Sequence, residues 1–383
     1  MLEPVVKLLK RIAFWIFRNK DFVLFPSIRE KDDLDHLLYK LSFMFPGKKI
    51  FYSGPDKSTA AKPGYLGDIK LSPTIYNVSI IKIIFLILTL RIVLTWNCKN
   101  PLLKKLTLLP QVYNVDYKRN RMEGWNYFYA YNLAKDRRNS PNAFFNFENI
   151  PKRSKCYAFG TGESLDTAYN YNFNDGYRIV CNSMIKNIHL MKHIEPDFLV
   201  FADAIYHFGP SVYAFAFRNA LVEFVKRFPS CVILIPENLY HHFIENHPHL
   251  KDKVFSIPPD KHKKVIIDLK KEYSYHRFEN ILNLLILPIA STLSDNIYFL
   301  GFDGRSEEIE GFWKYSNKNN FIDLLPMQKL AHPGFFTGRN YEADTGNFSD
   351  QTELIMQYGE GMGKSYYSLN TSNNKAMKKR FYS

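Results

Sequence analysis

The stretch Lys155–Ser183 reads KCYAFGTGESLDTAYNYNFNDGYRIVCNS, and it decides the fold. A short apolar run, Cys156 to Phe159, is bounded by Gly160 and Gly162, the pattern of a buried strand ending in a glycine turn. Ser164 is in place to cap a helix, with Asp166 in its first turn. A second strand, Tyr177 to Cys181, ends on Asn182 and Ser183. Strand, glycine turn, helix, strand is a βαβ unit, whose turn offers backbone N–H groups to a phosphate at a helix N-terminus. Asn182, at the carboxyl end of the second strand, is expected at the same crevice. Gly160-Thr161-Gly162 is shorter than GxGxxG, and such a turn equally serves to pack a helix closely on a sheet.

The pattern continues downstream. Asp197 to Ala202 reads as a strand ending at Asp203, Val212 to Arg227 as a helix, and Cys231 to Pro236 as another strand. Phe278 to Leu293 reads as an apolar helix bent at Pro288, and Asn296 to Gly301 as a strand with Asp303 just beyond it. Ligands of open parallel sheets bind outside the carboxyl ends of the strands, so Thr161, Asn182, Asp203 and Asp303 should converge on one edge. The expected fold is α/β: a Rossmann-like, mostly parallel sheet with helices on both faces over residues 151–383. A smaller α/β or helical region over residues 1–150 should precede it. His241, His242, His247 and His249 suggest metal, but Pro248 breaks the helix their spacing needs, and no metal is expected.

Gly301 to Gly338 is polar and aromatic with several glycines, as in a lid or substrate loop. It carries Arg305, Trp313, Tyr315 and His332. Arg305 is suited to a phosphate or sugar carboxylate. His332, followed by Pro333-Gly334, suits a general base, although a lone loop histidine is also an ordinary surface residue. Glu342 and Asp344 follow closely. The end of the chain, Asn370 to Ser383, reads as a short helix or loose tail.

Residues 21–150 show fewer signals. Lys49 to Ser53 and Leu106 to Val115 read as strands, Ser58 to Ser72 as a loop, Glu123 to Asp136 as a helix, and Arg137 to Pro141 as a linker. Asn77 to Trp96 is apolar enough to suggest a membrane span. Lys82 and Arg91 interrupt it and favour a buried or membrane-lying helix. Pro4 to Lys20 has helical spacing of apolar residues with basic residues beside them. It fits either a helix in a membrane interface or one docked on the core.

The formal net charge of +14 points to a polyanionic partner. Without a nucleic-acid motif, an anionic membrane surface and a phosphorylated substrate are favoured over nucleic acid. Cys98, Cys156, Cys181 and Cys231 lack paired spacing and read as reduced thiols of a cytoplasmic protein, peripheral at the inner face of the membrane.

GTGESL, followed by a strand ending VCNS, resembles the GNGPSL and RCN pattern of bacterial CMP-sialic-acid-dependent sialyltransferases acting on lipooligosaccharide. GFD resembles that family's GID, and a tyrosine-containing loop and a histidine before the last helix follow in the same order. The resemblance spans roughly residues 154–375. It implies a metal-independent glycosyltransferase that uses a CMP-sugar as donor substrate, with no further cofactor, and a glycan or glycolipid as acceptor. It assigns Gly160, Gly162, Ser164 and Asn182 to the cytidine nucleotide, Tyr315 to the phosphate, and His332 to deprotonation of the acceptor hydroxyl. Thr161 and Glu163 replace the asparagine and proline of GNGPS, Asp203 replaces an asparagine, and Trp313 takes one tyrosine position. These departures bear on the donor sugar more than on the fold. Two other readings remain. One is an ATP- and magnesium-dependent enzyme similar to archaeal pterin diphosphokinases and motility accessory factors, with Asp203 and Asp303 as metal-holding carboxylates. The other is a non-catalytic envelope-assembly module.

Overall fold

The computed structural model describes residues 21–88, 91–97, 109, 111–134, 143–260, 264–276, 280–306 and 316–382. Two compact units result. One takes Met1–Pro141, Ala204–Phe215 and Leu324–Arg339; the other takes Asn142–Asp203, Ala216–Asp323 and Asn340–Ser383.

The first unit is built on five strands: β1 (Phe22–Phe25), β2 (Ile50–Tyr52), β3 (Ile75–Asn77), β4 (Ile92–Thr95) and β5 (Val112–Asn114). Their order is β3-β2-β1-β4-β5, and every neighbouring pair is parallel. Parallel strands need crossovers, and the Lys31–Met44 and Ile80–Leu88 helices supply two of them. The central strands β1 and β4 are almost wholly buried. Leu34, Leu37, Leu38 and Leu41 form the apolar stripe of the Lys31–Met44 helix. Beyond its end Phe45 packs on Phe22, with ring centroids 4.1 Å apart.

The apolar stretch Asn77 to Trp96 is therefore not one helix. It divides into the Ile80–Leu88 helix and β4. A strand buried on both faces has no polar alternation, and so reads in sequence like the continuation of a buried helix. Among the described residues no helix is long and apolar enough to cross a membrane. The expected helix at Pro4 to Lys20 and the linker at Arg137 to Pro141 lie outside the described residues.

The second unit holds seven strands: β6 (Arg153–Phe159), β7 (Gly176–Cys181), β8 (Phe198–Val200), β9 (Val232–Pro236), β10 (Val254–Ile257), β11 (Ser294–Leu300) and β12 (Ser365–Ser368). Their order is β10-β9-β8-β7-β6-β11-β12, again wholly parallel. The order steps one way from β6 to β10 and resumes on the other side of β6 with β11. The topological switch point, where ligands of such sheets bind, therefore lies between β6 and β11. Both sheets fit the α/β, Rossmann-like reading.

Local departures have physical causes. The segment after the glycine turn, Glu163–Asn170, is a 3-10 helix whose N-cap is Gly162, so Ser164 is not its cap. The described part of the 278–293 stretch starts with a π-helical segment, Leu282–Ile286, and becomes α-helical over Leu287–Leu293. Pro288 follows closely on the π segment within one continuous run of helical backbone, where the wider turn before it accommodates a proline that lacks the N–H. The chain end is not loose. Asn374 caps the Lys375–Lys378 helix, and Arg380 binds Glu360 (Nε to Oε1, 2.6 Å) and Glu353 (Nη1 to Oε2, 2.6 Å). Cys156, Cys181 and Cys231 are buried free thiols, and burial pushes all three above the ordinary thiol range.

Candidate functional site

In the second unit a cleft lies at the carboxyl ends of β6, β7 and β11. Gly160, Thr161, Cys181, Asn182 and the Gly301–Gly304 turn line it, with Asn280, Ile281, Phe348 and Asn374 completing it. Gly160, Thr161, Asn182 and Asp303 are thus brought together. Asp203 and Arg305 are not among the described residues lining this cleft. Trp313 and Tyr315 lie outside the described residues.

The glycines of the turn are explained first by packing. A Cβ on Gly160 would stand 2.4 Å from the Gly301 carbonyl oxygen, and one on Gly162 would stand 2.4 Å from Oδ2 of Asp303. The Gly162 N–H donates to the Gly301 carbonyl at 2.9 Å. The Ser164 N–H donates to Oδ2 of Asp303 at 2.9 Å, and the Ser164 hydroxyl donates to Oδ1 of the same carboxylate. Asn370 Nδ2 donates to that Oδ1 as well, at 2.9 Å. The anion nested at the start of this helical turn is therefore the Asp303 carboxylate. Burial raises the Asp303 pKa above the usual range, against the hydrogen bonds from Ser164 that lower it. Ser164 and Asp303 brace the turn, and the Asn370–Asn374 segment locks the bracing. Asn373 N–H donates to the Asp303 carbonyl at 2.7 Å and Ser372 Oγ to the Phe302 carbonyl at 2.7 Å.

Asn182 is different. It follows β7 with φ of 52°, a left-handed conformation that asparagine tolerates better than other side-chain-bearing residues. Its Oδ1 is buried and has no hydrogen-bond partner. A buried amide oxygen without a donor costs roughly 1–3 kcal/mol, which a ligand's N–H or O–H would recover.

In the first unit His332 is not in an open loop. It sits between the Leu325–Ala331 and Pro333–Phe336 helices and is buried. Its Nδ1 lies 2.8 Å from Oε2 of Glu123 and 3.3 Å from Nζ of Lys40. The Lys40 ammonium also donates to Oε1 of Glu123 at 2.6 Å and to the Ala331 carbonyl at 2.7 Å. A carboxylate can only accept, so the shorter contact places the proton on Nδ1 and leaves Nε2 with a bare lone pair. That Nε2 is buried and without a partner. A Cβ on Gly209 would lie 3.2 Å from it.

The charges of this cluster are mutually dependent. Burial lowers the His332 pKa most, Lys40 lowers it further, and Glu123 raises it, leaving it at about 4. This corrects the expectation of a base near neutral pH: desolvation and the neighbouring ammonium both disfavour the imidazolium. Burial lowers Lys40, opposed by Glu123. Burial raises Glu123, but Lys40 and His332 outweigh it and hold the carboxylate below its usual range.

Lys40 and Glu123 were not singled out in the sequence, nor were Asp33 and His36. A signal existed: Asp33, His36 and Lys40 recur at helical spacing among leucines, on the side the helix buries. His36 stacks on Tyr117 with centroids 3.6 Å apart, and its Nδ1 lies 3.0 Å from the Tyr65 hydroxyl. Tyr117 donates to Asp33 at 2.6 Å. Among the described residues no group of three or more His, Cys, Asp or Glu is placed to hold a metal ion.

No protein-family model matches the chain, and no curated protein does. Among solved structures the chain is similar to the monofunctional α-2,3-sialyltransferase Cst-I of Campylobacter jejuni, at 15% identity over 63% of this chain and 82% of that one, with a TM-score of 0.34. It is similar to the sialyltransferase CstII of Campylobacter jejuni in complex with cytidine 5′-monophosphate, at 10% identity over 60% of this chain and 84% of that one, with a TM-score of 0.33. An apo α-2,3-sialyltransferase from the same organism matches at 14% identity over 63% and 82%, also with a TM-score of 0.33. At these TM-scores the likeness carries no weight for function, and the site has to be read from its own residues.

Proposed function

We propose that the protein is a glycosyltransferase that moves a sialic-acid-like sugar from a CMP-activated donor to a glycan acceptor. The observation that carries this reading is Asn182: a left-handed asparagine at a strand end, lining the switch-point cleft, with its amide oxygen buried and unpartnered. An acceptor held this way suits the exocyclic amine of cytosine or a ribose hydroxyl. The VCNS motif that contains it is the part of the sequence resembling the sialyltransferases' RCN pattern.

The chemistry asked of the site is defined. The bond between the anomeric carbon and the CMP phosphate oxygen breaks, and its electron pair leaves with CMP. A new bond forms from the acceptor oxygen to that carbon, and the acceptor proton goes to a base. His332 is our candidate base. Glu123 orients the ring through Nδ1–H, and Nε2 keeps the lone pair that would take the proton.

The diphosphokinase reading asks Asp303 to hold magnesium. Its carboxylate already accepts from Ser164 N–H, Ser164 Oγ and Asn370 Nδ2, which favours the transferase reading. Incubation with a panel of CMP-activated sugars tests the proposal: release of CMP, faster with a glycan acceptor, is expected. No turnover of any of them, together with magnesium-dependent use of ATP, would overturn it.

A further inference from the structure

The Ile80–Leu88 helix, IIKIIFLIL, has two apolar sides. Ile83 and Leu86 face inward and pack against Val23 of β1. Ile81, Ile84, Phe85 and Leu88 are 77%, 49%, 63% and 75% exposed. Their spacing is i, i+3, i+4 and i+7, so they form one continuous outward stripe. The outward side of a surface helix is ordinarily polar; here its one charged residue is Lys82, also exposed. A contiguous apolar stripe of this kind marks a surface that something covers.

The charge of the segment that carries it says what covers it. From Ile69 to Val115 the chain has no Asp or Glu, against Lys70, Lys82, Arg91, Lys99, Lys104 and Lys105. A protein partner would ordinarily meet mixed polarity, whereas an apolar stripe on a segment whose own charges are all positive complements anionic headgroups; of these charges Arg91 is paired with Asp21 (Nη1 to Oδ2, 3.4 Å), while Lys82 on the helix itself is exposed. Tyr76, on β3 just before the helix, is 39% exposed, and the Lys57 ammonium lies 5.9 Å from its ring centre. An aromatic ring with a cation beside it is typical of the level where headgroups meet acyl chains. Nine residues make a helix of roughly 13 Å, too short to span a bilayer and suited to lying in its interface.

We infer that the outer face of the Ile80–Leu88 helix docks the protein on an anionic lipid bilayer, with Ile81, Ile84, Phe85 and Leu88 among the acyl chains and Lys82 at the headgroups. The helix lies parallel to the surface.

The test is sedimentation of the full-length protein with vesicles of phosphatidylcholine alone and of phosphatidylcholine with phosphatidylglycerol. The wild type should pellet with the second and weakly with the first, and salt should reduce binding. A variant carrying Ile81→Ser, Phe85→Ser and Leu88→Ser should lose binding by roughly tenfold or more. These side chains are mostly exposed, so its thermal midpoint should stay near that of the wild type. Lys82→Glu, which alters only an exposed charge, should weaken binding to the anionic vesicles and guards against a folding defect in the triple variant. Three results would overturn the inference: no pelleting of the wild type with either vesicle; undiminished binding by both variants; or concentration-dependent self-association of the wild type that the triple variant abolishes, which would assign the face to a second copy.

Discussion

Nδ1 of His332 lies 2.8 Å from Oε2 of Glu123, two residues 209 positions apart in sequence and both buried. The contact fixes the imidazole tautomer, and burial, helped by the Lys40 ammonium beside it, keeps the ring neutral. The cluster is a carboxylate, an imidazole and an ammonium sharing one desolvated space. Each group sets the charge of the others.

The pH dependence of turnover follows. If His332 is the base, it must be neutral, and its ascending limb should lie near pH 4. An unperturbed histidine would put the limb near about 6.5. Measuring kcat against pH separates the two, and a limb near neutrality would mean another group titrates.

The same shift makes stability depend on pH. The folded-state pKa of His332 is below its unfolded value, so between about 6.5 and about 4 the unfolded chain binds a proton that the folded chain does not. Stability should therefore fall as pH drops through that window and level off, for this group, below it. His36, lowered well below 6.5 mainly by burial and then by Lys40, acts in the same direction. Chemical denaturation at successive pH values should give a smaller slope for His332→Gln than for the wild type.

Lys40 and Glu123 should move the His332 titration in opposite directions, because Lys40 lowers it and Glu123 raises it. Lys40→Met should raise the His332 pKa and Glu123→Gln should lower it, as read by NMR titration of labelled histidine. Glu123→Gln also leaves the Lys40 ammonium buried without its carboxylate, at a cost of about 3–5 kcal/mol in stability. Opposite signs in the titration would contradict the charge assignment.

Asn182→Ala should abolish most of the thermal stabilisation by CMP. Its own cost should be small, because about 1 kcal/mol of left-handed strain in alanine is offset by removal of the unpartnered buried oxygen. Asn182→Gly removes the amide without that strain. It should be at least as stable as the wild type in the absence of ligand, because the unpartnered buried oxygen is gone as well, and still fail to respond to CMP. A full CMP response in the glycine variant would remove Asn182 from the nucleotide site.

Asp303→Ala should destabilise the second unit by about 2–4 kcal/mol in urea titrations, because it strands the Ser164 amide and hydroxyl and the Asn370 amide together. A stable Asp303→Ala protein that had lost only a magnesium-dependent activity would instead favour the metal-binding role.

Five strands of the second unit's sheet, β6 to β9 and β11, were legible in the sequence because their signals are local, whereas β10 and β12 were not. Cys156–Phe159 and Cys231–Pro236 are apolar runs, and Tyr177–Cys181 is one interrupted by Arg178; they are stopped by glycine, proline and asparagine respectively, and a parallel strand buried on both faces needs little more. The same continuity hid β4 within Asn77 to Trp96, since a run without alternation does not say where a helix ends and a strand begins. The convergence of Thr161, Asn182 and Asp303 also followed from the sequence, because a parallel sheet puts its strand ends on one edge, whereas Asp203, expected with them, does not line the cleft. What Asp303 does there did not follow. Its partners are Ser164, 139 positions away, and Asn370, 67 positions away, and only packing decides that they meet. His332 was visible as a candidate, but Lys40 and Glu123 lie 292 and 209 positions from it, and burial beside them takes its pKa to about 4. Periodicity and turn chemistry act over a few residues, whereas desolvation and ion pairing depend on which distant segments share a space. The chain's sequence determined five of the seven strands of the second unit and their common edge; tertiary structure decided which of its polar groups pair with one another and which stay buried without a partner.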